Sequence, residues 1–139
     1  MSRKLDAAIA EALEREVTWM RKVKTGGRRI KPVYTHHACS PTDNFAQPYY
    51  AGTYAVVPKF SKDGNAMLRL DAEMRARGWV LSLTYCWSEN RWYTTYKRPQ
   101  REIGAKNNYI RADGTADTMP LAVALAAYKA LTGKEWERS

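Results

Sequence analysis

Between Trp79 and Cys86, large apolar side chains alternate with smaller or polar ones, and this period of two is typical of a half-buried β-strand. A similar run follows a short polar break, so the two runs predict an antiparallel hairpin. A two-residue turn at 89–90 would place three pairs on the apolar face: Trp87 with Trp92, Tyr85 with Thr94, and Leu83 with Tyr96. The wetter face would then carry Ser82, Thr84, Cys86, Tyr93, Thr95 and Lys97. We therefore expect Trp92 and Tyr96 in the core, and Tyr93 where a ligand or partner can stack on it.

Three other segments have apolar residues three and four positions apart, which is the period of a helix with one buried stripe. The first stripe would contain Leu5, Ile9, Leu13, Val17 and Met20, and the helix would end at Gly26-Gly27. The second helix would begin after Asp63, bury Met67, Leu70 and Met74, and end at Gly78. The third would begin at Thr118 with Pro120 in its first turn, end at Gly133, and bury Leu121, Leu125, Tyr128 and Leu131.

The remaining segments contain many turn-forming residues. Segment 21–57 has proline, glycine and polar groups without a helical period, so we expect a basic, loop-rich insertion with short strands at 33–35 and 53–57. At 109–112, YIRA predicts a short strand, followed by a turn at Asp113-Gly114. Together these elements predict a single α+β domain over 1–139. Its three-stranded or larger antiparallel sheet would be packed with three helices in the order α, loop insertion, α, β, β, β, α.

The chain is basic, with 23 Lys and Arg against 14 Asp and Glu and a net charge of +9, which favours a polyanionic partner. No apolar run reaches the roughly 20 residues that span a bilayer, and the first residues do not resemble a signal peptide. We therefore expect no membrane partner. The two cysteines lie far apart in the sequence, which fits a reducing cytosol better than a disulfide framework.

Cations next to aromatic side chains are the main candidates for a binding site. Guanidinium groups bind phosphate bidentately, and tyrosine rings stack on bases. We predict an anion-binding patch in which loops and strand ends converge and which contains Arg28, Arg29, Lys31, Arg91, Tyr93, Lys97, Arg98 and Arg101. Tyr49 and Tyr50 are further candidates for stacking. The same composition also describes a basic module that docks on an acidic protein surface.

Catalytic signatures are lacking: the sequence contains no nucleophile elbow, Walker A loop or HExxH motif. We therefore expect a non-enzymatic protein without a cofactor or metal. The one compact group of ligand-type residues is His36, His37 and Cys39, to which Cys86 would have to add a fourth zinc ligand. A small hydrolase with Cys39 as nucleophile and His36 or His37 as base is the enzymatic alternative.

Two runs, VPKFSKDGNAMLRLDAEMRARGW before the hairpin and ADTMPLAVALAAYKAL at the last helix, resemble the phage ABA sandwich domain, a small family of bacteriophage and prophage proteins. The matching positions are Pro58, Phe60, Ser61, Asp63, Ala116, Asp117, Thr118 and Pro120. The resemblance covers 56–90 and 109–132, whereas 21–55 and 98–107 are longer and more basic than expected for the family. It implies an antiparallel sheet with helices packed on it, and it implies no activity.

The resemblance implies that the protein is encoded by a bacteriophage, and we expect it to act in the cytoplasm of the host bacterium. We expect a counter-defence protein that binds an anionic partner, which would be a nucleotide signal such as a cyclic nucleotide, a nucleic acid or a host defence complex. The alternatives are a DNA- or RNA-binding phage regulator and a basic protein–protein interaction module. Self-association through an uncovered sheet face would give a homodimer or a higher homo-oligomer.

Overall fold

The computed structural model describes residues 3–28, 31–100 and 109–137. Three helices and six strands lie in these ranges. In chain order they are α1 (Arg3–Ala12), β1 (Val17–Arg28), β2 (Lys31–Ala38), β3 (Gln47–Tyr50), α2 (Gly64–Ala76), β4 (Val80–Cys86), β5 (Arg91–Pro99), β6 (Tyr109–Ala116) and α3 (Met119–Thr132). The fold is therefore of the α+β class, as predicted, and its second half has the predicted order α, β, β, β, α.

The strands form two antiparallel three-stranded sheets. Sheet A has the order β2-β1-β3, and sheet B has the order β4-β5-β6. Helix α3 lies on β5 and β6, while α1 and α2 pack against α3. In the described ranges no strand of sheet A contacts a strand of sheet B, so the helices join the two sheets.

Two predictions are wrong in sheet A: the length of the first helix and the loop-rich character of 21–57. Helix α1 ends at Ala12, and Glu14 has a left-handed φ of 65°, so Val17 and Met20 belong to β1 and not to a longer helix. Residues 17–19 are β-branched or aromatic and favour a strand, and pairing with β3 outweighs their helical spacing. Segment 21–57 is likewise not loop-rich, because most of β1 and all of β2 and β3 lie in it.

The core is centred on α3. The fully buried residues of α3 are small: Ala122, Val123, Ala124, Ala126 and Ala127. The predicted stripe of larger residues, Leu121, Leu125, Tyr128 and Leu131, is only partly buried around them. Gly114 lies in the middle of β6, not in a turn as predicted, and a Cβ there would lie 2.4 Å from the carbonyl oxygen of Ala122. Small residues on both elements therefore bring α3 onto the sheet.

The predictions for α2 are confirmed. Asp63 is its N-cap and accepts a hydrogen bond of 3.2 Å from the backbone N–H of Asn65. Met67, Leu70 and Met74 are buried, and Gly78 ends the helical turn with a φ of 87°.

The β4–β5 hairpin has its predicted faces but a different register. Four residues, 87–90, make the turn, and Leu81 pairs with Tyr96, Leu83 with Thr94 and Tyr85 with Trp92. A shift of two residues leaves every side chain on its original face. Tyr96 is consequently buried and Tyr93 is 40% exposed, as predicted. Trp87 does not face Trp92, because it lies in the turn with 84% of its surface exposed.

Candidate nucleic-acid interface

The part of sheet A beyond β3 is a two-stranded ribbon. Strand β3 pairs with residues 17–20 of β1 only, whereas β2 pairs with residues 20–28, and beyond β1 the ring of His36 contacts Tyr49 of β3. We call residues 21–28 of β1 together with β2 the basic arm. Most side chains described on both strands of the arm are exposed, so both of its faces are open to a partner.

The arm carries positive charge without compensation. Six basic residues occur between positions 21 and 31, and the sequence contains no Asp or Glu from 17 to 42. Lys22 and Lys24 lie on one face of the arm, and Arg21 lies on the other, as the pairing register requires. Among the described residues, none of these three cations takes part in an ion pair. Their charge is therefore available to an anionic partner.

Aromatic rings make contacts on the face of the arm that carries Lys22 and Lys24. The Nζ atom of Lys22 lies 4.3 Å from the centre of the Tyr34 ring on the opposite strand. The ring of His36 is stacked on Tyr54 at 4.6 Å and meets the edge of Tyr49 at 5.3 Å. An isolated two-stranded ribbon is only marginally stable in water, so these cross-strand contacts contribute to its order.

Two of the predicted site residues lie at the ends of the arm strands. Arg28, whose backbone ends β1, pairs with Lys31 of β2, and the structure does not describe Arg29. Gly27 next to them has a φ of 90°, and a Cβ there would lie 2.4 Å from the carbonyl oxygen of Lys31. Gly27 can come this close to Lys31, with a left-handed φ, because it has no side chain.

The other predicted cations lie in sheet B. Arg91 is 3.7 Å from Asp117, and Lys97 lies over the ring of Tyr109 at 4.8 Å. Arg98 is on the opposite face of the sheet, with its guanidinium 5.0 Å from the centre of the Trp79 ring. Arg101 lies outside the described residues.

Tyr93 lies on the same open face as Lys97. Its hydroxyl donates a hydrogen bond to Glu89, and this bond raises the pKa of Tyr93. The carboxylate of Asp113, also on this face, accepts hydrogen bonds from Thr95 and Arg111. Partial burial raises the pKa of Asp113, but these hydrogen bonds outweigh it and hold the pKa below its usual value. The charged groups of this face are thus largely engaged with one another.

The predicted site residues that the structure describes are therefore divided between two sheets. Arg28 and Lys31 lie in sheet A, whereas Arg91, Tyr93 and Lys97 lie in sheet B, and in the described ranges no strand of one sheet contacts a strand of the other. The other two stacking candidates are also poorly available. Tyr49 is buried, and Tyr50 is partly buried beneath the guanidinium of Arg15.

His37 donates or accepts a hydrogen bond of 2.9 Å with the hydroxyl of Thr35, and His36 contacts tyrosine rings. Within the described ranges neither histidine is hydrogen-bonded to the Cys39 thiol, and no three His, Cys, Asp or Glu side chains are grouped to hold a metal ion. Both cysteines are free and partly buried. This geometry gives the hydrolase hypothesis no nucleophile–base pair to build on.

Four exposed residues of the arm were absent from the predicted site: Arg21, Lys22, Lys24 and Tyr34. One signal in the sequence points to them, namely the absence of any acidic residue over 17–42. Blocks of like charge are often interaction segments, and this interval has six basic residues between positions 21 and 31.

No described helix is long and apolar enough to cross a bilayer. Comparisons of the chain with protein-family models, with curated proteins and with solved structures found no match. The resemblance to the phage ABA sandwich domain stays a prediction.

Proposed function

We propose that this protein binds nucleic acid through its basic arm. The observation that carries the proposal is a set of three cations, Arg21, Lys22 and Lys24, that form no ion pair with any described residue and lie on a ribbon exposed on both faces. Contacts from lysine and arginine to phosphate supply most of the non-specific affinity of proteins for nucleic acids. Sheet B is a weaker candidate, because Arg91 and Arg111 already have carboxylate partners there.

The shape of the arm suits a duplex groove. A two-stranded β-ribbon fits the major groove of B-DNA, which is about 12 Å wide and 8.5 Å deep. Eight residues of β1 beyond β3 extend about 26 Å at 3.3 Å per residue. Since cations lie on both faces, an inserted arm brings Lys22 and Lys24 towards one phosphate backbone and Arg21 towards the other.

A single nucleotide is the second candidate ligand. A groove of about 530 Å³ at the base of the arm is lined by Arg21, Val23, His37, Ala38, Cys39, Asp43 and Asn44. Arg21 and His37 favour a phosphate there, whereas the carboxylate of Asp43 opposes it. This ligand would agree with the expected role of a phage counter-defence protein that sequesters a nucleotide signal in the host cytoplasm, and the duplex would agree with a phage regulator.

Fluorescence anisotropy with a labelled DNA duplex tests the proposal. Lys22→Glu/Lys24→Glu is expected to weaken binding more than about tenfold, because it replaces phosphate contacts by repulsion. Lys59→Glu/Lys62→Glu makes the same change in net charge at exposed positions before α2 and is expected to have a much smaller effect. Equal losses in the two variants would show that only the net charge matters, and the arm would then not be the interface.

Salt titration separates the two ligands. Duplex binding through several phosphates should weaken steeply as salt rises, whereas a nucleotide in the groove should respond weakly. A shallow salt dependence, together with displacement of the duplex by a mononucleotide, would favour the groove.

A further inference from the structure

Strand β4 is an unprotected edge of sheet B. Edge strands usually carry charges, proline or bulges, which prevent them from pairing with other chains. The other edge strands have such residues: Lys31 and Pro32 in β2, Pro48 in β3, and Arg111 and Asp113 in β6. The seven residues of β4, VLSLTYC, include no charged residue and no proline, and their pairing with β5 has no register shift.

The helix-side face of β4 is also incompletely covered. Within the described ranges α3 contacts β5 and β6 but not β4, and the helix that reaches β4 is α2. Leu83 points to this face yet is 39% exposed, and the exposed Trp87 packs edge-on against Tyr85 at 5.0 Å. A strip of apolar side chains therefore runs beside a row of backbone groups that pair with no other strand in the described ranges.

We propose that β4 pairs antiparallel with β4 of a second copy of this chain, with the two-fold axis at Leu83. The two sheets B would join into one sheet of six strands. The sequence of β4 complements itself in this register. Leu83 would face Leu83, Leu81 would face Tyr85, Ser82 would face Thr84, and Val80 would face Cys86. Cross-strand pairs of this kind stabilise a sheet, and like charges opposite each other destabilise it.

Charge does not oppose a second copy at this edge. Each chain has a net charge of +9, so two copies repel one another wherever their cations meet, whereas β4 itself has no charged residue. The β4 edge is therefore a part of sheet B at which two basic chains can approach each other.

The dimer goes beyond the proposed function and can be tested without nucleic acid. Sedimentation equilibrium of the wild-type chain is expected to give the mass of a dimer. Leu83→Lys places two like charges at the two-fold axis and is expected to weaken dimerisation more than about tenfold. Leu68→Lys is the matched control, because Leu68 is 58% exposed and belongs to α2 and not to β4, so the change should leave the strand pairing intact.

A cross-link tests the register even if Leu83→Lys folds poorly. Residues directly opposite each other in antiparallel strands have Cα atoms about 4.5–5.5 Å apart, within the range of a disulfide. With Cys39 and Cys86 changed to serine, Leu83→Cys is expected to give a disulfide dimer under mild oxidation, and Leu68→Cys is not. A wild-type chain that stays monomeric at its highest accessible concentration would overturn the proposal, as would equal cross-linking at the two positions. Nucleic-acid binding by a monomeric Leu83→Lys would leave the function of the arm standing.

Discussion

The hydroxyl of Tyr96 donates a hydrogen bond of 3.0 Å to Oδ1 of Asp71 inside the core and so ties β5 to α2. Arg75 donates to the other carboxylate oxygen, Oδ2, at 2.8 Å. Burial, and secondly the neighbouring Asp71, raise the pKa of Tyr96, so its hydroxyl keeps its proton and acts as the donor. This buried polar contact thus adds a specific link between α2 and sheet B to the packing of α2 on α3.

Replacing Tyr96 by phenylalanine should therefore destabilise the fold. The variant leaves Oδ1 of Asp71 buried without its donor, which costs about 1–3 kcal/mol. Urea unfolding would measure the loss. Tyr93→Phe removes a hydroxyl from the exposed face of the same strand and should change the free energy of unfolding far less.

Gly114 is expected to tolerate no side chain. A Cβ would lie 2.4 Å from the Ala122 carbonyl oxygen and 2.6 Å from the Ala126 nitrogen, and both are backbone atoms that move only with α3. Gly114→Ala should cost about 1–3 kcal/mol or more in thermal or urea unfolding. Gly64→Ala adds the same methyl group at the start of α2, where nothing lies within 4 Å, and should not destabilise. Equal stability of the two variants would show that α3 does not pack closely on β6.

Glu73 should make stability depend on pH. The hydrogen bond from Arg77 lowers its pKa below the usual 4.5, and the charge of Arg15 adds to this effect. Because the pKa is lower in the folded state, the carboxylate stabilises the fold above pH 4.5 and this contribution is lost as the pH falls through the folded-state pKa. Glu73→Gln should flatten this part of the curve of unfolding free energy against pH. The change should stay below about 1 kcal/mol and shrink at high salt, since the ion pairs lie near the surface.

The salt dependence of binding should count the phosphate contacts of the arm. Lys22→Ala/Lys24→Ala removes two cations, so the slope of log K against log salt should become shallower by about two. The measurement is a titration of duplex binding at several salt concentrations. An unchanged slope would mean that neither lysine touches a phosphate.

The sequence alone determined those elements whose side-chain period matches their burial. Helix α2 has its cap, its buried stripe and its terminal glycine within one local segment. The faces of the β4–β5 hairpin were predicted correctly although the predicted register differs by two residues. Side chains along a strand alternate between faces with a period of two, so a shift of two residues leaves each one on its face. The sequence also showed the positive charge of segment 21–31, but it did not show that this segment forms strands.

Only the tertiary structure decided how the other segments are used. Val17 and Met20 fit a helical stripe, but pairing with β3 makes them part of a strand. Asp113-Gly114 is a sequence typical of turns, yet the approach of α3 places Gly114 inside β6. The same holds for the proposed binding surface, because local patterns cannot show that Arg91 and Arg111 of sheet B form ion pairs with Asp117 and Asp113. Partners far apart in sequence meet only when the chain folds, and these long-range contacts outweigh local preference.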